Sequence, residues 1–288
     1  MARSIFVNSF SKRDPALLDF VELLNGESAD RLEPWYNLGA WSPGDSYQQA
    51  ARALAVAVGQ AAGINSADHL LDLACGYGAS LSLWRELGQV ASIAALESNA
   101  RGRAYIESLR LPHVKVLPQH SFEDFARTPP EHIYDAVLCV DAAYHFSSAR
   151  DLARTAARVL RSEGRLAFTT LLLHPFWHQT PLWRRWLCRA LCRGALMPRA
   201  SIVDAVSWQR ILGEEGFVDI TTDDYTQTVC GGFAAYIAQR RKGLTPRQRW
   251  SLAWIKIDLT SRWAAFLSRT GQLRYALIVA HRSRPIDG

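Results

Sequence analysis

A chain of 288 residues with 49% hydrophobic content can fill one large or two modest cores, and one α/β domain with appended helices is the simpler arrangement. Its 33 lysines and arginines against 27 carboxylates leave a formal charge of +6, a mild excess that suits an anionic partner or only a solvated face. Cys75, Cys139, Cys188, Cys192 and Cys230 show no zinc or disulfide spacing, which excludes a disulfide scaffold and fits buried thiols in a reducing cytoplasm. No run approaches the roughly 18 apolar residues of a membrane span. Arg3, Lys12, Arg13 and Asp14 flank no secretion-signal core.

In chain order, Asp14-Pro15 reads as an N-cap and first-position proline, opening a helix to Asn25 that Gly26 stops. Its apolar positions are Leu17, Leu18, Val21 and Leu24. A turn-rich aromatic segment, Trp35 to Gly44, follows; Ser46 and Gln49 then form a capping box for an alanine-rich helix to about Ala62.

The stretch from His69 to Ser80 predicts strand, tight loop and helix. Leu70, Leu71 and Leu73 suit a buried parallel strand, and Gly76 and Gly78 let the backbone approach a ligand closely. The helix from about Ala79 points its free N–H groups at that ligand. A dinucleotide fingerprint wants a third glycine or alanine where Leu81 stands. Asp72 would repel a pyrophosphate and attract an amino group. Glu97, about 20 residues on and past the apolar run from Val90 to Leu96, can accept from both hydroxyls of a ribose.

In this combination, from Leu71 through Gly78 to Glu97, the chain resembles the class I S-adenosylmethionine-dependent methyltransferases. The likeness runs from about Tyr36 to about His281, and is nearest to small-molecule members such as the tocopherol, sterol and quinone methyltransferases. It implies an α/β fold, a doubly wound Rossmann-like sheet with N-terminal helices and helical lid insertions. The division is an N-terminal cap over 1–62, a cofactor-binding core over 63–173, and lid helices with terminal strands over 174–288 completing the same sheet. It assigns S-adenosylmethionine contacts to Asp72, Ala74, Gly76, Gly78 and Glu97. A similar aromatic segment closes over the active site in the tocopherol-like members. Tyr36 and Trp41 therefore either cover the sulfonium and acceptor or staple the N-terminal arm onto the sheet.

Asn99 to Leu111 predicts a helix and His113 to Pro118 the third strand. In the loop from Gln119 to Asp124 the family's adenine-binding acid is replaced by Ser121, with Phe122 next, whose N–H can reach the ring; Glu123 and Asp124 are the alternative acceptors. Ile133 to Val140 is the fourth strand, leading into Asp141-Ala-Ala-Tyr-His-Phe146 at the carboxyl end where ligands bind in such sheets. Here Asp141 and His145 are the candidate catalytic residues: histidine is suited to taking a proton near neutral pH, and Asp141 orients it or binds the acceptor directly, and is also a candidate cofactor contact. The competing reading makes His145 a wall residue beside Tyr144, itself a candidate acceptor contact.

Ser148 and Asp151 read as a second capping box, opening a helix to Leu160. A turn over Arg161–Arg165 and a fifth strand over Leu166–Leu173 follow. Thr180-Pro181 opens a helix with Leu182, Trp183, Trp186, Leu187, Ala190 and Leu191 on one side and Arg185, Arg189 and Arg193 on the other. It predicts a lid whose inner tryptophans line an apolar acceptor pocket, with peripheral membrane contact through the three arginines as a second possibility. Ser207 to Gly216 predicts a helix, Phe217 to Tyr225 a strand, and Thr245-Pro246 a long helix carrying Trp250, Trp254, Ile257, Trp263 and Phe266, with Trp254 another pocket candidate. The final strand, Leu273 to Ala280, resembles the family's terminal antiparallel hairpin.

His174 and His178 flank Pro175 and have no third partner, so no metal site is predicted. The resulting expectation is methyl transfer to oxygen or carbon of a lipophilic or aromatic small molecule, in a cytoplasmic protein with or without membrane-surface contact. A nucleic-acid methyltransferase, suggested by the basic charge, is disfavoured because Asp141-Ala-Ala-Tyr144 stands where an Asn-Pro-Pro-Tyr-like tetrapeptide would be. A non-catalytic cofactor-binding module and a nicotinamide oxidoreductase complete the alternatives.

Overall fold

The computed structural model describes residues 15–26 and 32–284. Asp14 and the basic residues before it lie outside the described residues, as do the side chains of Leu17 and Leu18. Helix α1 spans Pro15–Asn25 and ends on Gly26, whose φ of +79° is the left-handed stop expected there. Helix α2, Tyr47–Ala61, starts from the complete Ser46–Gln49 capping box.

Strand β1 (His69–Leu73), helix α3 (Ala79–Gly88), β2 (Ser92–Leu96), α4 (Ala100–Leu109), β3 (Val114–Val116), α5 (Phe122–Arg127), β4 (Tyr134–Cys139), α6 (Ala149–Val159) and β5 (Leu160–Leu173) then alternate. Helix α7 (Leu182–Gly194), α8 (Ala205–Glu214), β6 (Phe217–Asp224), α9 (Gly232–Arg240), α10 (Pro246–Arg249), α11 (Leu252–Thr270) and β7 (Leu273–Arg282) complete the chain. All seven strands form one sheet in the order β3-β2-β1-β4-β5-β7-β6. The first five are parallel; β7 is antiparallel to both β5 and β6. The doubly wound fold expected from the sequence is therefore present, terminal antiparallel strands included.

Alternation within the strands feeds two cores. Leu70, Ile93, Ala136 and Leu138 pack on one face with Leu54, Val58 and Trp84, while Leu71, Ala94, Val137 and Phe168 pack on the other with Leu152 and Trp208. Chain order reverses between β1 and β4, where Asp72 pairs in register with Leu138. That reversal opens the crevice in which ligands of open α/β sheets bind.

Four local expectations need correction. The loop expected from Gln119 to Asp124 ends at Ser121, which caps α5 by accepting from the Asp124 N–H, so Phe122 to Asp124 are already helical. The turn over Arg161–Arg165 is a bulge within β5: the register with β4 jumps from Tyr134–Leu160 to Ala136–Arg165. The long helix from Thr245 breaks into α10 and α11, since the Thr245–Gln248 box opens the first and Ser251 caps the second. Finally, α8 starts at Ala205, because Asp204 accepts from the Ser207 N–H.

Candidate active site

Three segments meet at the carboxyl ends of β1, β2 and β4. After β1, Ala74, Gly76 and Gly78 all take positive φ, so the chain coils tightly before α3. The Ala74 N–H donates to the Leu96 carbonyl at 2.8 Å, fixing the loop to β2. A Cβ on Gly78 would meet Ile106 at 3.0 Å, and one on Gly102 of α4 would meet the Gly76 carbonyl oxygen at 2.8 Å. The two glycines thus hold α4 and the loop at backbone contact. Gly102 carries no sequence signal, because its packing partner is remote. Gly78 caps α3 without a side chain, so the helix aims its N-terminal dipole into the crevice with no protein carboxylate capping it.

Glu97 ties this loop to the start of α4. Its Oε2 accepts from the Gly76 N–H and its Oε1 from the Asn99 N–H, each at 2.7 Å. Burial raises its pKa, and the backbone N–H groups oppose that rise. Oε2 keeps a lone pair, and on Oε1 the second position holds only a long contact from the Ser98 hydroxyl at 3.5 Å, which a ribose hydroxyl can displace.

Asp72 is 1% exposed and receives Ser80 Oγ at 2.8 Å and Trp84 Nε1 at 2.7 Å, both on Oδ2. Trp84 and Ser80 stand out only once α3 is seen packed on β1. Burial pushes the Asp72 carboxyl up to about 6, against the lowering effect of those two donors. The native state therefore holds this proton more tightly than the unfolded chain. The stability contribution is most favourable below pH about 4 and is lost as the pH rises through about 6. Asp72→Asn keeps an oxygen for both donors and removes the charge. The variant is expected to be more stable than the wild type at pH 8 by on the order of 2–3 kcal/mol, with the difference vanishing near pH 4. Chemical denaturation at a series of pH values measures it; an equal difference at all pH values would mean the carboxyl is not the titrating group.

Asp141 follows β4 with φ +58°. Its Oδ1 accepts from the Tyr144 hydroxyl at 2.6 Å and the Tyr275 hydroxyl at 2.7 Å, and its Oδ2 from the Leu38 N–H at 2.7 Å. Burial raises its pKa while these donors hold it down. A carboxylate so engaged fastens the N-terminal arm to the sheet. Sequence reasoning missed Tyr275 and Leu38. The same arm carries Tyr36 over the loop, its Cβ 3.9 Å from where a Gly76 Cβ would lie, with the ring 61% exposed and against Phe20. Trp41 instead stacks on Tyr236 at 4.4 Å and donates to the Leu38 carbonyl, the stapling arrangement. A π-type turn, Gln227–Gly231, and Gly232 make room for it: a Gly232 Cβ would lie 2.3 Å from that of Trp41.

His145 is exposed beside Tyr144, and its Nδ1–H donates to the Leu196 carbonyl at 3.3 Å. That bond leaves Nε2 as the unprotonated nitrogen of the neutral ring. Phe122 stacks on Phe146 at 4.1 Å and, as the first residue of α5, has an N–H without an intrahelical acceptor. Ser121 Oγ is occupied as a cap; Glu123 accepts from the Ser147 N–H and Asp124 pairs with Arg127.

Helix α7 is oriented opposite to expectation. Cys188 and Cys192 are the buried residues of α7, and Arg185 and Arg189 lie over the Trp177 ring. Trp183 and Trp186 are 63% and 72% exposed on the outer side, so they line no pocket. Trp254 is a fully buried core residue of α11.

Residues 46–222 match the family model described as "Methyltransferase domain". Erythromycin 3''-O-methyltransferase of Saccharopolyspora erythraea is 27% identical over 194 residues, which span 65% of this chain and 62% of that enzyme. Two solved structures share the fold. The cyclopropane synthase MmaA2 of Mycobacterium tuberculosis has a TM-score of 0.71 at 16% identity, over 92% of this chain and 94% of that one. The geranyl diphosphate C-methyltransferase of Streptomyces coelicolor A3(2), in complex with Mg2+, geranyl diphosphate and S-adenosyl-L-homocysteine, has a TM-score of 0.64 at 19% identity, over 93% and 98%.

Proposed function

Because the chain belongs to the methyltransferase domain family, we propose that it transfers a methyl group from S-adenosylmethionine to oxygen or carbon of a lipophilic small molecule. The observation that carries this reading is the junction at Gly76: a glycine loop at a helix N-terminus, bound by Glu97, with the Asp72 carboxyl behind it. The donor set fits the group. The α3 N-terminus suits its carboxylate, Asp72 its ammonium, Glu97 its ribose hydroxyls, and the Phe122 N–H a ring nitrogen. Gly78 and Gly102 let the loop and α4 pack at backbone contact, where a Cβ would strike Ile106 or the Gly76 carbonyl oxygen. The curated relative's O-methyl transfer and the geranyl diphosphate bound by a structural neighbour support the acceptor class.

When bound, S-adenosylmethionine supplies an activated methyl group on a sulfonium. The chain's own residues do the rest. The arm, latched through Leu38 to Asp141, carries Tyr36 across the loop and excludes water from the crevice; holding the partners in line is worth up to roughly 7–11 kcal/mol. For a hydroxyl acceptor, His145 Nε2 takes the proton as the new O–C bond forms, and Tyr144 borders the acceptor. Asp141 is a positioning residue in this scheme rather than the base, since three donors occupy it.

Incubation with the methyl-labelled donor and a set of lipophilic phenols, quinones and prenyl compounds tests the reading. A labelled small-molecule product is expected, and His145→Gln is expected to lower kcat on a hydroxyl acceptor about 10²-fold while donor affinity stays unchanged. Unaltered turnover would remove His145 from the chemistry. Label entering only nucleic acid would replace the acceptor class.

A further inference from the structure

Helix α7 turns its apolar side to water. With Cys188 and Cys192 buried and Arg185 and Arg189 over Trp177, the 3.6-residue period puts Trp183, Trp186, Leu187 and Ala190 on the opposite face. Arg184 and Arg193 flank this ridge on its two sides, and the Arg184 guanidinium lies 5.1 Å from the Trp183 ring centroid. Between Glu163 and Asp204 the sequence has no carboxylate. Single exposed apolar residues are ordinary on proteins, but two tryptophans and a leucine on one ridge mark an interaction surface.

We propose that this ridge seats the protein on an anionic membrane surface, with Trp183 and Trp186 entering the headgroup boundary and Arg184 and Arg193 pairing with lipid phosphates. The charge selects the occupant. A second copy meeting the ridge about a two-fold axis would set arginine against arginine with no carboxylate in the segment to neutralise them. The ridge is also a convex helix face with its rings standing out from it, a form that suits an interface of soft lipid rather than a shaped protein groove. The placement serves the site: beyond α7, the Leu196 carbonyl holds His145, and Ser201 Oγ donates to the Tyr144 carbonyl. A membrane-dissolved acceptor would thus arrive beside the residues proposed to receive it. The inference rests on the lipophilic acceptor of the proposed function. It also replaces the contact expected from the sequence, because Arg185 and Arg189 lie over the Trp177 ring, away from the tryptophan ridge.

Co-sedimentation of the full chain with phosphatidylcholine vesicles, with and without phosphatidylglycerol, tests it. Binding is expected only to the anionic vesicles. It should fall roughly thirtyfold in Arg184→Gln/Arg193→Gln and more than about tenfold in Trp183→Ser/Trp186→Ser. Calorimetric titration of each variant with S-adenosylmethionine, expected to match the wild type, shows that the fold and the donor site are intact and separates this proposal from the methyltransferase reading. Failure of the wild type to bind anionic vesicles would overturn the proposal. So would variants that bind as well as the wild type, loss of binding in Leu252→Gln/Leu259→Gln instead, or a dimer in sedimentation that the tryptophan variant dissolves.

Discussion

Glu97→Gln is expected to weaken binding of S-adenosylmethionine by about 10²–10³-fold, although it changes one atom. Both carboxylate oxygens accept from backbone N–H groups, Gly76 on one and Asn99 on the other. A glutamine must present its NH2 to one of them, donor against donor. Either the Gly76 loop lifts or the first turn of α4 loosens, and one ribose acceptor is lost as well. Hydrogen bonds to charged groups contribute about 1.5–3 kcal/mol each, so losing two near the lower end of that range, about 3–4 kcal/mol, gives the stated loss. The side chain is buried, so solvent does not restore the bond. Isothermal titration reads the change directly, and a variant binding within a factor of about three of the wild type would show that Glu97 only shapes the loop.

The second large effect is expected at Asp141. In Asp141→Asn, Oδ1 can still accept from Tyr144 and Tyr275, but Nδ2 meets the Leu38 N–H. The arm is released while the tyrosine pair stays. The expected outcome is a loss of about 10²-fold in kcat/KM, from admitted water and a loosened acceptor site. Proteolysis between Tyr36 and Trp41 should become faster without a comparable fall in global stability. Asp141→Ala differs in kind: it strands the buried Tyr144 hydroxyl, while Tyr275 keeps Thr169 Oγ1 at 2.9 Å, and costs about 1–3 kcal/mol of stability. If Asp141→Asn left the arm protected yet abolished turnover, the carboxylate would have a direct chemical role and the latch would be the wrong account.

What the sequence made legible follows the range of each interaction. The turn at Gly76 and Gly78, the Ser46 box and the stop at Gly26 are set by residues a few positions apart, and all appear where expected. The Asp141 latch joins it to Leu38, 103 positions away, and to Tyr275, 134 away. No local pattern encodes such a pair. Trp84 carries no sequence signal, because its hydrogen bond to Asp72 exists only once α3 lies against β1. Helix α7 departs from its sequence pattern for a different reason. Its apolar residues outnumber its arginines, and periodicity identifies two faces without saying which one the fold covers; the covered face here carries Cys188 and Cys192, with Arg185 and Arg189 beside it over Trp177.

The Gly76 crevice is built for a sulfonium nucleoside rather than a dinucleotide. Calorimetric titration of the wild-type chain with S-adenosylmethionine, S-adenosylhomocysteine and a nicotinamide dinucleotide tests it most directly. Saturable one-site binding of the first two with none of the third is the expected result. Binding of the dinucleotide with no response to either sulfur nucleoside would contradict it.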